Sequence, residues 1–245
     1  MTVAADSTAT RQLEAAWRDA ANLDGELVEL SVEGAGVPAI FRPYADGDAL
    51  GGVVLLHDPW THADSHEVIR PLRLGLAEAG WNTLSVQLPA ARSHATAADW
   101  QSRSAQIAAR AGAGLDWLKQ RGLDNRAVIA LGESAAIALR FAATRPAQDI
   151  AAVILISSPA TFDDEASRKA LEQLSRPLLD LYAQRDLETV VERARKRAVA
   201  ARAAGVQDFE QREVSGATPG FAGLDPLLVQ TIHNWLRDNA ATDQR

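Results

Sequence analysis

The sequence predicts an α/β protein, with about eight strands in a mostly parallel sheet and helices on both faces. Three observations predict it. Short apolar or β-branched runs alternate along the chain with longer helical patterns. GGVVLLH (51–57) and IAAVILIS (150–157) are almost wholly apolar, as strands buried on both faces require. The stretches joining such runs are mostly a dozen residues or longer, the length a parallel crossover needs.

The elements follow in order. ELVELSV (26–32) and VPAIFRP (37–43) predict a hairpin around Glu33-Gly34-Ala35-Gly36, and 51–57 the first buried strand. VIRPLRLGLAEAG (68–80) predicts a helix ended by Gly80 in the left-handed region, followed by the strand WNTLSVQL (81–88). Residues 97–121 predict a long amphipathic helix. RAVIALG (126–132) is a strand running straight into the helix 134–145, which Pro146 ends. The strand 150–157, a helix over EASRKALEQL, the strand RPLLDLYA (176–183) and a helix over 188–205 come next. A strand over 206–214 and a closing helix over 225–239 complete the pattern. One domain over 26–240, a partly helical arm over 1–25 and a tail over 241–245 are expected.

Composition narrows the function. The 245 residues carry 25 Lys+Arg against 32 Asp+Glu, a net charge of −7, which argues against nucleic-acid or anionic-lipid binding as the main activity. No apolar stretch is long enough for a membrane span. Cysteine is absent, which removes disulfides, thiolate metal sites and cysteine nucleophiles together. The first dozen residues have no basic n-region and no apolar core, so they do not read as a signal peptide. Nothing in the sequence calls for a cofactor.

In sheets of this kind ligands bind beyond the carboxyl ends of the strands. After the strand ending at Leu131 comes Gly132-Glu133-Ser134-Ala135-Ala136, leading into a helix. That is the context of a nucleophile elbow, a sharp turn that lifts a serine Oγ above the sheet, with Ala136 where the usual pattern has a second glycine. The plainer reading is that Ser134 caps the helix.

With this junction in place, the order of elements from 26 to 239 resembles the α/β-hydrolase fold. More narrowly, RPYADGDALGGVVLLHDPWTHADSHEVIRPLRLGLAEAGWNTLSVQLP (42–89) resembles an uncharacterised, mostly proteobacterial family of hydrolase-like proteins. Its members often carry an export signal, which implies a periplasmic setting, while a cytoplasmic one stays open. The resemblance implies Ser134 as nucleophile, Asp186 as the acid, and a histidine between Gly216-Ala217 and Phe221. Pro219, or Thr218 with a shift of one, stands there instead, and neither accepts a proton. Asp186 also reads as the cap of the helix that follows it. His233, inside the closing helix, reads as a packed or surface histidine.

The oxyanion hole is also incomplete. Ala135 N–H supplies one donor, but His57-Asp58-Pro59 puts a proline, which has no N–H, at the position of the other. Trp60 supplies it if the loop shifts by one residue. The faults in the base and in the hole fall on separate segments.

Three readings follow. A degenerate hydrolase binds a small molecule or a protein partner through the old cleft, lined by Asp58, Pro59, His62, Glu133 and Pro219. Alternatively, an active serine esterase uses Ser134 with a relocated histidine, His57 or His62, on an ester substrate. In a third reading His57, Asp58, His62, Asp64 and His66 hold a divalent metal. His57 also reads as a hydrogen-bonded brace of its loop. Trp60, Trp100 and Trp117 are expected to wall the cleft under a lid over 89–100, with Trp81 and Trp235 in the core. Arg193, Arg195, Lys196, Arg197 and Arg202 are expected on a solvated helix paired with Glu188 and Glu192.

Overall fold

Side-chain alternation in the buried strands organises the molecule. The structure, a computed structural model, describes residues 23–90 and 97–240, the side chains of 97–100 excepted. Most of the expected arm, the centre of the expected lid with Trp100's side chain, and the tail lie outside the described residues. Eight strands form one sheet: β1 (Glu26–Val32), β2 (Ala35–Arg42), β3 (Gly51–Leu56), β4 (Trp81–Val86), β5 (Arg126–Leu131), β6 (Ala152–Ile156), β7 (Leu178–Ala183) and β8 (Phe209–Val214). Their order is β1-β2-β4-β3-β5-β6-β7-β8. β2 runs antiparallel to both β1 and β4, and every other pairing is parallel.

Period-two alternation divides each central strand between two cores. Val54, Leu56, Val128, Ala130, Val153 and Leu155 point to one face. There they meet α2 (Ala97–Lys119), α3 (Ser134–Thr144) and α4 (Glu165–Gln173). Val53, Leu55, Ala127, Ile129, Ile154 and Ile156 point to the other, against α1 (Ile69–Glu78) and α6 (Asp225–Asn239). α5 (Glu188–Ala203) joins β7 to β8. Trp81 and Trp235 are buried in the second core.

Three expectations change. Val32 pairs with Ala35, so the hairpin turns on Glu33-Gly34 alone and Gly36 lies within the strand, opposite Ser31. Both turn residues have positive φ, +50° and +81°, which matches the twist of the flanking strands. Trp117 packs edge-on against Phe41 with ring centroids 4.9 Å apart, and Arg121 lies over its ring. α2 starts beside the carboxyl end of β4 and runs back down the sheet, so Trp117, near its last turn, sits at the end opposite the cleft. Finally, the basic helix α5 is not wholly solvated. Arg197 is fully buried and forms a 2.8 Å ion pair with Asp180 of β7, while Arg193 donates to Pro159 O.

Candidate active site

The site is built where β3, β5, β6, β7 and β8 end. β5 stops at Leu131, Gly132 turns the chain with φ +62°, and α3 begins at Ser134. Gly132 is required twice over. Its φ lies in the left-handed region, and a Cβ there would stand 1.8 Å from Asp58 Oδ2. The Asp58 carboxylate therefore fills the space that a side chain at the turn would take. Its Oδ2 accepts Glu133 N–H at 2.9 Å, and its Oδ1 accepts Trp60 N–H at 2.9 Å. An anion at this place is favoured, because the amides and dipole at the start of a helix stabilise negative charge.

Ser134 follows as the first residue of the helix and is fully buried. It is not among the residues with positive φ, so the strained elbow geometry falls on Gly132 instead. Its Oγ donates to His57 O at 2.7 Å. A carbonyl takes that hydrogen bond but cannot carry the proton away. Ala135 N–H bonds Gly132 O at 3.2 Å, inside the turn.

His57 is enclosed by backbone. Nδ1 lies 2.7 Å from Asp58 O, and Nε2 accepts Leu88 N–H at 2.8 Å. Since a carbonyl only accepts, Nδ1 carries the proton, and the Nε2 lone pair is engaged by Leu88. Burial pushes the imidazole pKa down to about 3, against a weaker opposing effect of the Asp58 hydrogen bond. His62 Nδ1 accepts Asp64 N–H at 3.2 Å, and burial holds this ring below its ordinary value too. Asp64 pairs with the buried Arg73 at 2.7 Å. The structure thus divides these residues among separate partners. No group of three or more His, Asp or Glu side chains placed to hold a metal occurs among the described residues.

Glu133 is half-buried beside this turn. Its carboxyl is raised above the ordinary range by burial first and by the Asp58 charge second, opposed by a hydrogen bond from the Trp60 side chain and by the Arg103 charge. Trp60 is otherwise 60% exposed. Asp186, at the end of β7, accepts from Ser157 Oγ at 2.5 Å, Ala183 N–H at 3.1 Å and Leu187 N–H at 2.8 Å. Ser157 closes β6 with φ +51°. In the β8–α6 loop, Pro219 precedes Gly220, which packs against the Glu67 side chain. The structure therefore brings Ser134, His57, Asp58, Trp60 and Glu133 together, while Asp186 bonds Ser157.

Reasoning from the sequence missed the buried group below this face. Asp180 accepts from Arg197 Nε at 2.8 Å and from Gln211 Nε2 at 2.7 Å, and Arg197 also donates to Ser158 O and Val190 O. Burial pushes the Asp180 carboxyl up, against the pull of Arg197. The available signal was an aspartate inside the apolar run LLDLYA, which demands a buried partner.

Comparison with known proteins places this geometry. The sequence matches a family described as a protein of unknown function, DUF3530, over residues 4–102 and 91–238. The chain belongs to that family. No curated protein matches it. Solved structures match this DUF3530 protein over most of its length. A dienelactone hydrolase from Anabaena variabilis superposes with TM-score 0.69 at 19% identity, covering 88% of this chain and 98% of that one. An esterase from Pyrococcus furiosus gives 0.68 at 16%, covering 89% and 91%. The esterase domain of a Rhodothermus marinus protein gives 0.66 at 13%, covering 88% and 98%. At these identities the likeness shows the fold, which is that of the α/β-hydrolases.

Proposed function

We propose that this DUF3530 protein is a degenerate α/β-hydrolase that has kept the fold as a binding scaffold and does not turn over esters. The carrying observation is the Asp58 carboxylate seated on Gly132, with Trp60 and Glu133 N–H groups bonded to it. Acyl transfer needs donors aimed at a developing negative oxygen, and here the Asp58 carboxylate takes the Trp60 amide, one of the two the resemblance assigns to that role. Two further observations support the reading. The Ser134 proton is directed to a backbone carbonyl, and both nitrogens of His57 have backbone partners. Ser134 then acts as a brace between β3 and α3, and Asp186 caps the turn into α5. The bound species is a small molecule or a protein partner, in a periplasmic setting as the family resemblance suggests.

The test is labelling of the full chain with a fluorophosphonate probe, with the adduct located by mass spectrometry. The expected result is no adduct on Ser134 in protein shown to be folded by circular dichroism. An adduct on Ser134 would overturn the proposal and support an active serine esterase. Labelling of His57→Ala and His62→Ala variants would then identify the base.

A further inference from the structure

A second concave site lies away from the elbow, between α1 and α6. It is a groove of about 410 Å³. Both helices run back along parallel strands and so lie parallel to each other, and each presents a row of residues four apart. Pro71 and Gly75 of α1, with Ala79 at its C-cap, line one wall, and Asp225, Val229 and His233 of α6 the other. A Cβ on Gly75 would meet Val229 Cγ2 at 2.7 Å, which fixes the register. In that register Pro71 stands level with Asp225, and Ala79 with His233. The Val229 side chain fills the space beside Gly75, so the helices pack closely there and the floor of the groove is apolar.

The charges sit at the two ends. Asp225 opens α6 at one end, while Glu78 and His233 stand at the other. Glu78 and Asp225 have no ion-pair partner among the described residues. His233 Nδ1 is buried without a hydrogen-bond partner, and burial first, then the nearby Arg237 charge, hold the ring below its ordinary pKa against the pull of Asp238. Arg237, the cation on this part of α6, pairs with Asp238 at 3.6 Å. The groove thus joins an apolar trough to a carboxylate at each end, and the eight helical steps from Asp225 to His233 make it about 12 Å long.

We propose that this groove binds a linear organic dication, an alkyl diammonium or polyamine. One ammonium sits at Asp225, the methylenes lie over Gly75 and Val229, and the other ammonium sits at Glu78. The match is one of charge, apolarity and length together, and it is independent of the elbow's chemistry.

The test is titration of the full chain, by calorimetry and by amide shifts of α1 and α6, with four probes. These are terminal diaminooctane, terminal diaminobutane, octylamine and octanediol. Diaminooctane is expected to bind about tenfold tighter than each of the others. Glu78→Gln and Asp225→Asn should each reduce diaminooctane to the level of octylamine, and Ala79→Phe should abolish binding by filling the trough. Octanediol binding as tightly as the diamine would overturn the proposal. So would equal affinity for both diamine lengths, or binding unchanged in Glu78→Gln, since either points to general attraction by a chain of net charge −7. Glu78 is exposed, so Glu78→Gln keeps the test decisive even where Ala79→Phe fails to fold.

Discussion

Replacing Asp58 with alanine tests the central argument, because the carboxylate does one measurable thing. It accepts two backbone N–H groups at 2.9 Å and places a charge at the start of α3. A hydrogen bond to a charged group contributes about 1.5–3 kcal/mol. The Trp60 amide is at the surface and rebonds water, so the loss falls mainly on the half-buried Glu133 amide. The helix-terminal charge adds about 0.3–1 kcal/mol. Asp58→Ala should therefore cost about 2–4 kcal/mol, and Asp58→Asn, which keeps one acceptor without the charge, about half of that. For a chain of this size each kcal/mol lowers Tm by about 2–4 °C, so the middle of the range corresponds to about 6–12 °C. Urea and thermal unfolding followed by tryptophan fluorescence read it directly. An Asp58→Ala variant within about 0.5 kcal/mol of the parent would refute the seating of the carboxylate. A rise in esterase turnover in the same variant would show a hole that was only blocked, with a base already in reach.

Other expectations follow from neighbouring contacts. Gly132→Ala should lose more than about 3 kcal/mol, from positive φ and from the collision with Asp58, and adding Asp58→Ala should recover part of it; strict additivity in a double-mutant cycle would deny the contact. His57 has a folded pKa of about 3 against an ordinary 6.5. The unfolded chain therefore binds the extra proton between these values, and stability should fall as pH drops through that window, by up to about 1.4 kcal/mol per unit. His57→Gln should flatten that slope in urea titrations at several pH values, and an unchanged slope would assign the pH dependence elsewhere. Ser134→Ala should leave any residual ester turnover unchanged while lowering stability by about 1–3 kcal/mol, because His57 O loses its buried donor. Arg197→Met alone should cost about 3–5 kcal/mol by stranding Asp180, and Asp180→Leu together with Arg197→Met should recover most of it by unfolding assay.

The sheet was legible because its strands are nearly pure apolar runs and their periodicity is set by local sequence. GGVVLL, RAVIAL and AVILI have no other stable place than a doubly covered sheet. The charged residues were less legible. A row of arginines on α5 looks solvated when only i, i+4 partners are counted, and Arg197 finds Asp180 seventeen residues away in sequence. Trp117 was expected near the cleft because its helix starts there, yet twenty residues of helix carry it to the far end. The Asp58 contact joins residues 75 apart and depends on a loop conformation that no periodicity encodes. Pro59 marked the loop as altered, but not what replaced the missing donor.

That replacement bears on whether a relocated base alone would restore hydrolysis. Removing one oxyanion donor slows acyl transfer by about 10²–10³. The resemblance assigns that purpose to two amides, Ala135 N–H and, with the loop shifted by one residue, Trp60 N–H; here Trp60 N–H is bonded to Asp58 while Ala135 N–H is bonded to Gly132 O. A newly formed oxyanion would have to displace both and stand beside the Asp58 charge. Burial and that same charge raise the neighbouring Glu133 carboxyl as well. A histidine brought to Ser134 would thus repair one fault and leave the other, and neither repair alone would restore hydrolysis. Both faults therefore need repair: with Asp58 still on the turn, a base at Ser134 serves a transition state that finds the Trp60 amide already taken.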